Sequence, residues 1–465
     1  MQEMSPLLPD TRRVVLVSRV RREFFLEQRP EGVCVPEVSI PSGQRISAHL
    51  NAVAESRWNL RVVSIGEVEA KKFVTADQPP KYEILEVLET PERPPIELTT
   101  LRDSALAMAP LVRPEDRAAL ERISAHPESL PVCGKTGPFS HLGWFEEAKG
   151  WVEKALLGCG QRPTGRFQQL TAGASFSLVR FETEGDAVWF KAVGERNVRE
   201  YAVTSELAAA APQFTPEILA CRPEWKAWLS REAAGTTLAQ SNDVRNWQAA
   251  ACQFAKLQIA LLPRTEMLLS AGAQDVRIPL LRSQVTHFFK ILQRLMRRQT
   301  RTQPAPLTLT DIHTMQQDLP DVLACWERLG IPDALGHLDL NPENVLVSDE
   351  RCAFLDWAEA AVGPPFLTLQ YLLEHAGQPF SHPHELRQTI IAAYTDPWKG
   401  LVPQAQLGVA LRLLPAVAVY AYTASAIAGR DLPFLEQPKV AASVRSMGRR
   451  LYHELKALGR SAAAD

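Results

Sequence analysis

The segment GHLDLNPENVLV, residues 336–347, sets a group of polar side chains directly before a run of apolar ones. Its glycine and proline are typical of a loop, whereas the apolar residues 345–347 are typical of a buried strand. The segment therefore predicts a loop that leads into a strand. Loops held by rigid elements often carry the chemistry of a protein.

The spacing of this loop is H-x-D-x-x-x-x-N, from His337 through Asp339 to Asn344, and Asp356 follows in a second apolar run, AFLDW. Two short strands joined by a turn would bring Asp339, Asn344 and Asp356 together. Phosphoryl transfer needs such a set, because one carboxylate orients the acceptor hydroxyl and accepts its proton while other oxygens bind magnesium. Taken alone, the same spacing also fits a turn with capping side chains.

A candidate cation for phosphate binding lies upstream, in the strand-like run VWFKAV. Its Lys191 would be costly to bury unless paired, and Glu200 on the following helix is the partner that we predict. The turn TAGASFS, residues 171–177, could close over phosphates through backbone N–H groups, with Gly173 and Ser175 as its candidate binding residues.

From about residue 166 to residue 430, the chain resembles the aminoglycoside phosphotransferase and choline kinase group of the protein-kinase-like fold. The segments HLDLNPEN and LDWAEAAVGPP are similar to the H-G-D-x-x-x-x-N and D-W segments of that group. The resemblance implies that Asp339 is the catalytic base and that His337 braces the catalytic loop. It also implies that Asn344 and Asp356 bind magnesium.

The resemblance extends to the binding of ATP. It implies that Lys191 and Glu200 anchor the triphosphate. The segment WLSREAAG, residues 228–235 with Glu232 among them, resembles the hinge that receives adenine through backbone contacts. Two alternatives stay open: Glu206 competes with Glu200 as the ion-pair partner, and Lys191 by itself also fits a solvated residue of an edge strand.

Four positions depart from the pattern of this group. Leu338 replaces the usual glycine, and Pro364 stands where an aspartate often follows a glycine. Thr368 occupies a position that is commonly aspartate, and Gln258 replaces a frequent histidine. None of these changes removes a nucleotide or metal ligand, but each could alter substrate contacts or the stability of the loop.

The first 95 residues have a different pattern, in which strand-like runs surround one helical stretch. This order resembles a Nudix domain, whose box is G-x5-E-x7-R-E-U-x-E-E-x-G-U, with U a bulky apolar residue. In residues 47–58 only Glu55 falls on an acidic position of the box, while Asn51 and Ala54 replace other carboxylates. Without clustered carboxylates a magnesium–pyrophosphate site is hard to build. We therefore predict a catalytically inactive domain that serves binding or packing.

The chain of 465 residues is long enough for more than one core. We predict an α+β protein in which a smaller α/β, Nudix-like domain precedes a bilobal kinase-like domain. The predicted boundaries are 1–130 for the N-terminal domain, 131–165 for a helical connector, 166–235 for the N-lobe and 236–465 for the helical C-lobe.

Composition narrows the classes of partner. Net charge is −2, which gives no support for a nucleic-acid partner, and we interpret the basic run RLMRRQTRTQ, residues 294–303, as a solvated helix end rather than a ligand site. The seven cysteines are scattered without a CxxC pair, which argues against a disulfide framework or a zinc site and favours a reducing cytoplasm.

Two segments invite other interpretations. The apolar residues 407–429 are almost long enough to span a membrane, but Arg412 and Pro415 favour a buried helix. We also find no signal peptide at the N-terminus. The segment VCGKTG, residues 132–137, lacks the full spacing of a phosphate-binding loop, and we interpret it as a turn.

These observations predict an ATP- and magnesium-dependent phosphotransferase that acts on a hydroxyl of a small molecule, such as an aminoglycoside, a sugar or an amino alcohol. The main alternative is a non-catalytic pseudokinase that senses nucleotide or binds a partner. A third possibility is hydrolysis of a nucleoside diphosphate derivative by the first domain. We expect no nucleic-acid or membrane partner, and the sequence makes no prediction of the oligomeric state.

Overall fold

The computed structural model describes residues 10–68, 80–89, 97–127, 130, 139, 141–173, 176–194, 197–349, 351–376 and 383–462. The chain forms two compact units. The first unit comprises Met1–Tyr201 and Glu217–Glu232, and the second comprises Ala202–Pro216 and Ala233–Asp465. Helices and strands occur in both units, so the predicted α+β class is confirmed.

The first unit contains two sheets. The strands of its N-terminal sheet are β1 (Asp10–Ser18), β2 (Glu23–Arg29), β3 (Gly32–Cys34), β4 (Glu37–Ile40), β5 (Val62–Val68), β6 (Tyr82–Val87) and β7 (Leu98–Arg102). Their order is β3-β2-β1-β6-β5, with β4 paired to β1 and β7 paired to β2. The pair of β1 and β6 is parallel, and the other pairs are antiparallel. The associated helices are α1 (Ile46–Trp58), α2 (Pro114–Ala125) and α3 (Trp144–Gly158).

Strand β1 is buried on both faces. Its Val15 and Val17 pack in one apolar cluster, whereas Val14 and Leu16 pack in another. Because successive side chains of a strand point to opposite faces, each face of this sheet has its own core. Helix α1, where the sequence predicts a helix, contributes Trp58 to one of these cores.

The second sheet of this unit is antiparallel. Its strands are β8 (Pro163–Thr171), β9 (Phe176–Thr183), β10 (Val188–Val193), β11 (Ile218–Arg222) and β12 (Ala227–Arg231), in the order β11-β12-β10-β9-β8. Helix α4 (Val198–Ala210) follows β10 and continues into the second unit. Phe145 of α3 lies against Phe167 and Phe181, with ring centroids 4.4 Å and 6.2 Å apart. The two sheets therefore share one apolar core.

Polar contacts also join the two sheets. Gln169 of β8 is buried, and its side-chain amide accepts a hydrogen bond from the backbone N–H of Ser64 and donates one to the carbonyl of Ser64, both at 2.8 Å. Asn51 of α1 donates to the same amide oxygen at 3.0 Å. The backbone N–H of Ala172 donates to Ser47 Oγ at 2.9 Å. Helix α1 thus contacts the end of β8 and the turn that follows it.

The second unit is mostly helical. Its helices are α5 (Val244–Ala260), α6 (Thr265–Ser270), α7 (Ile278–Arg297), α8 (Leu309–Arg328), α9 (Leu367–His375), α10 (Pro383–Thr395), α11 (Gln404–Ile427), α12 (Leu432–Leu435) and α13 (Pro438–Ala462). Its strands are β13 (Thr236–Thr237), β14 (Gln274–Asp275), β15 (Ala334–His337), β16 (Val345–Ser348), β17 (Arg351–Phe354) and β18 (Ala360–Gly363). They form two small sheets, β13-β16-β17 and β14-β18-β15.

Helix α11 is the buried helix that the sequence predicts. Its length and composition would allow it to cross a membrane, yet Leu414, Val417 and Tyr420 lie in the core of the second unit. Core helices of soluble proteins have the same composition. Pro415 lies inside this helix, and Tyr420 donates a hydrogen bond to the carbonyl of Leu281 on α7.

Candidate functional site

The predicted loop lies between β15, which ends at His337, and β16, which begins at Val345. The His337 side chain is fully buried. Its Nε2 lies 2.9 Å from the carbonyl oxygen of Leu355, and its Nδ1 accepts the backbone N–H of Asp339 at 3.3 Å. Because a carbonyl only accepts, the network assigns the ring proton to Nε2. His337 therefore links the start of the loop to the segment after β17.

Backbone bonds fix the rest of the loop. The carbonyl of Asp339 accepts the N–H of Asn341 at 2.7 Å and the side-chain Nδ2–H of Asn344 at 3.1 Å. The carbonyl of Asn344 in turn accepts the N–H of Leu355 at 2.8 Å. Since Nδ2 of Asn344 is engaged, its Oδ1 is the atom left to contact a cation or a donor.

The carboxylate of Asp339 has a partner that the sequence did not indicate. Tyr371 on α9 donates its hydroxyl to Asp339 Oδ1 at 2.5 Å. Burial raises the pKa of Tyr371, and hydrogen bonding to Asp339 raises it further, so the phenol keeps its proton and acts as the donor. The only signal in the sequence is helical spacing, because Tyr371 falls one turn after Thr368, a position that the family pattern marks.

Asp356 adopts an unusual backbone conformation. Its φ is 62°, in the left-handed region that few residues other than glycine occupy. Strain of this kind is common at functional sites. The adjacent Leu355 is bonded to Asn344, so the two predicted oxygen ligands lie on neighbouring segments. The ring of Trp357 packs on His337, with centroids 4.8 Å apart.

A metal site made of protein side chains alone is absent from the described residues, which contain no cluster of three His, Cys, Asp or Glu that could hold an ion. Asn344 and Asp356 provide two side chains with oxygen donors, which suit a hard cation. A complete coordination shell at this place would need oxygens from a bound ligand.

Residues that depart from the family pattern have structural partners. The side-chain nitrogen of Gln258 donates to the carbonyls of Leu335 and Pro365, and its oxygen accepts the hydroxyl of Tyr394. Thr368 Oγ1 accepts the backbone N–H of His337 at 2.9 Å. These two substitutions therefore support the loop through hydrogen bonds.

A close approach explains the glycine before Pro364. A Cβ atom at Gly363 would lie 2.6 Å from the carbonyl oxygen of Val276. Leu338, at the position of the usual glycine, is buried, and its backbone N–H donates to the carbonyl of Glu359.

In the first unit, the predicted ion pair forms. Lys191 Nζ lies 2.6 Å from Glu200 Oε1, and Glu200 is buried. The ammonium also lies 4.9 Å from the ring centroid of Phe176 and 5.8 Å from that of Trp228. The Glu200 carboxylate and these two aromatic faces thus help to hold the ammonium in place.

The other residues that were predicted to contact the nucleotide are Gly173, Ser175 and Glu232. Gly173 has a φ of +159°, and a Cβ there would meet nothing within 4 Å. Ser175 lies outside the described residues, as do residues 132–137. The carboxylate of Glu232 receives two bonds from Arg180, at 2.7 and 2.9 Å, and one from Trp189 at 3.0 Å. Hydrogen bonding from Arg180 lowers the pKa of Glu232, so this side chain is an engaged anion.

The candidate residues therefore fall into two groups. Lys191, Glu200, Gly173 and Glu232 belong to the first unit, whereas His337, Asp339, Asn344 and Asp356 belong to the second. In the first group, Lys191 and Glu200 bond directly. In the second, Asn344 bonds to the backbone carbonyl of Asp339 and to the backbone N–H of Leu355, the residue before Asp356.

Comparison with known proteins gives one family. Residues 166–402 match the family described as phosphotransferase enzyme family. No curated protein matches the chain. Nothing in the comparisons bears on the Nudix resemblance of the first 95 residues, which stays a prediction.

Several solved structures are similar in part. A choline kinase from Cryptosporidium parvum is 14% identical, with a TM-score of 0.45, over 68% of this chain and 96% of its own. A macrolide 2′-phosphotransferase from Brachybacterium faecium is 16% identical, with a TM-score of 0.40, over 65% of this chain and 97% of its own. A choline kinase from Streptococcus pneumoniae is 12% identical, with a TM-score of 0.42, over 67% and 99%.

Proposed function

We propose that this chain, which belongs to the phosphotransferase enzyme family, transfers a phosphoryl group from ATP to a hydroxyl group of a small molecule. The observation that supports this most is the fixed loop from His337 to Asn344. It holds one carboxylate, that of Asp339, with a single hydroxyl donor and a braced backbone. A carboxylate held in this way can orient a second hydroxyl, that of the acceptor.

Asp339 is the proposed base. Its Oδ1 accepts the hydroxyl of Tyr371, and no other hydrogen bond to this carboxylate is found in the part of the chain that the structure describes. The second oxygen is therefore available to accept the proton of the acceptor hydroxyl. In a loose transition state that proton moves late, so orientation matters more than basicity.

Asn344 and Asp356 are the proposed magnesium ligands. The amide nitrogen of Asn344 is held by the carbonyl of Asp339, which directs the oxygen of the amide away from the loop backbone. Magnesium bound there and by the nucleotide would neutralise charge on the phosphates. The set of oxygen donors fits this ion, since it contains neither thiolate nor imidazole.

Lys191 is the proposed contact to the phosphates, and Glu200 positions it. An ammonium carries three N–H donors, and the contact to Glu200 sets the direction in which the side chain extends. Gly173 and Ser175 are proposed to line the phosphates, and the segment with Glu232 to receive adenine through its backbone. The side chain of Glu232 is bound to Arg180, so its proposed role is to shape this segment.

The acceptor is proposed to be a hydroxyl-bearing aminoglycoside, sugar or amino alcohol. We propose no nucleic-acid or membrane partner and a cytoplasmic location. The described cysteines support a reducing compartment, because all of them are free.

The test is consumption of ATP with magnesium against a panel of aminoglycosides, sugars and amino alcohols. Asp339→Asn should lower kcat by about 10²–10⁴-fold while thermal stabilisation by ATP and magnesium persists. Asp321→Asn is a matched control, because Asp321 is an exposed aspartate of α8. If slow ATP consumption is the same in wild type and Asp339→Asn, the non-catalytic, nucleotide-sensing alternative replaces this proposal.

A further inference from the structure

A cavity of about 630 Å³ opens in the second unit, where the C-terminal end of α7 meets the N-terminal end of α13. The segment that follows α7 forms a third wall. The cationic residues that line the cavity are Arg298, Arg301, Lys439, Arg445 and Arg449, and one acidic residue, Glu436, lies with them. The basic run that the sequence shows at residues 294–303 is therefore one side of a concave surface.

The positive charge of this cavity is only partly balanced. Glu436 pairs with Arg298 and with Arg294, the latter at 2.6 Å. No ion pair to the other four cations occurs among the residues that the structure describes. The first turn of α13 carries no acidic residue, and the N-terminal end of this 25-residue helix adds a partial positive charge.

The walls of the cavity are held in place by Gln299. Its side-chain nitrogen donates to the carbonyls of Arg301 and Pro304, at 2.7 and 2.8 Å. Its oxygen accepts from Arg449 Nη1 at 3.1 Å. One side chain thus fixes the loop after α7 and orients an arginine of α13.

This concentration of charge is unfavourable without a ligand. Burial lowers the pKa of the Arg449 guanidinium, and the neighbouring Arg445 lowers it further. An arginine stays protonated in spite of this, so both charges are held close together at a cost in free energy. A bound anion would offset this repulsion between the two guanidinium groups.

We propose that this cavity binds a small organic anion that carries two or more phosphate groups. A guanidinium group can donate two parallel hydrogen bonds to the oxygens of one phosphate. The four cations without an ion pair among the described residues carry more charge than a ligand with a single carboxylate could neutralise. The volume lies in the range of small-molecule sites. A net charge of −2 gives the chain no general attraction to a nucleic acid, which favours a small ligand.

The proposed anion site is distinct from the loop that holds Asp339. Helix α7 begins after β14, which pairs with β18, the neighbour of β15 and His337. The cavity lies at the other end of α7. A helix of 20 residues is about 30 Å long, so the bound anion would lie far from the transferred phosphate.

The test uses sodium tripolyphosphate, titrated calorimetrically into the full chain in EDTA. The double variant R445Q/R449Q should bind at least about tenfold more weakly than wild type. The variant R264Q/R282Q removes the same charge from exposed arginines elsewhere in the second unit and should bind like wild type. Equal affinity of all three proteins would overturn the proposal.

Three further measurements remove ambiguity. K439Q, a change at an exposed residue, should also weaken binding, which guards against misfolding of the double variant. K191M should retain the binding, and loss in K191M with retention in R445Q/R449Q would place the probe at the nucleotide site instead and overturn the proposal. Orthophosphate should bind at least about tenfold more weakly than tripolyphosphate, and equal affinity would contradict the multi-phosphate class.

Discussion

Two carboxylates, one in each unit, have opposite surroundings. Asp116 of α2 is fully buried, and its oxygens accept bonds from Arg13, from the hydroxyl of Tyr82 and from the backbone N–H of Val35, at 2.9, 2.8 and 3.0 Å. Asp339 is half-buried and accepts one side-chain bond. A carboxylate whose protein partners saturate it has a structural role, whereas one with an oxygen to spare on a rigid loop can bind a ligand.

The largest effect is expected from Asp116→Ala. The change removes the buried carboxylate that half-buried Arg13 shares with the hydroxyl of Tyr82 and the N–H of Val35, leaving Arg13 with the ion pair to Glu37 and the other two donors unsatisfied. The free energy of unfolding of the first unit should therefore fall by about 3 kcal/mol. Urea unfolding followed by far-UV circular dichroism measures it. Glu121→Ala, at an exposed position of the same helix, should stay within about 0.5 kcal/mol of wild type. Equal effects of the two changes would show that the hydrogen bonds to Asp116 do not stabilise the first unit.

A smaller effect is expected from Tyr371→Phe, and it depends on the proposed function. Loss of the hydroxyl frees the Asp339 carboxylate to rotate, so kcat should fall about tenfold while KM for ATP and thermal stability change little. Steady-state kinetics with the acceptor from the panel separate the two constants. Tyr452→Phe on α13 is the control and should leave kcat unchanged. A rise in KM for ATP with unchanged kcat would contradict a positioning role for Tyr371.

Local patterns in the sequence predicted the elements that carry the candidate site. The apolar runs around residues 345–354 predicted two short strands, and β16 and β17 pair with Val345 opposite Phe354. The order of strand and helix around Lys191 predicted a carboxylate partner on the following helix, and the family resemblance favoured Glu200, which forms the pair, over Glu206. Both predictions use residues that are close in the chain, where alternation and spacing limit which side chains can meet.

Contacts between distant segments were not predictable in this way. The bond of Tyr371 to Asp339 depends on how α9 packs against the loop. The cavity of α7 and α13 joins Arg298 to Arg445 and Arg449, which follow much later in the chain. The interpretation of the basic run as a solvated helix end did not include these arginines. No periodicity within one segment carries such information, because tertiary packing decides it.

The contact between helix α1 and the turn after β8 also joins distant segments and was not predicted from the sequence. It gives the smallest predicted effect. Ser47→Ala removes the acceptor for the N–H of Ala172. Ala172 is half-buried, so water can replace part of the lost bond, and the free energy of unfolding should fall by about 0.5–1 kcal/mol. Ser56→Ala is matched to it. Ser56 lies on the same helix, and among the described residues its hydroxyl bonds to the carbonyl of Val53 within that helix. If Ser47→Ala, but not Ser56→Ala, also raises KM for ATP, helix α1 supports the turn that is proposed to line the phosphates. If the two variants agree in both stability and KM, the hydrogen bond from Ala172 to Ser47 contributes neither to the stability of the first unit nor to the binding of ATP.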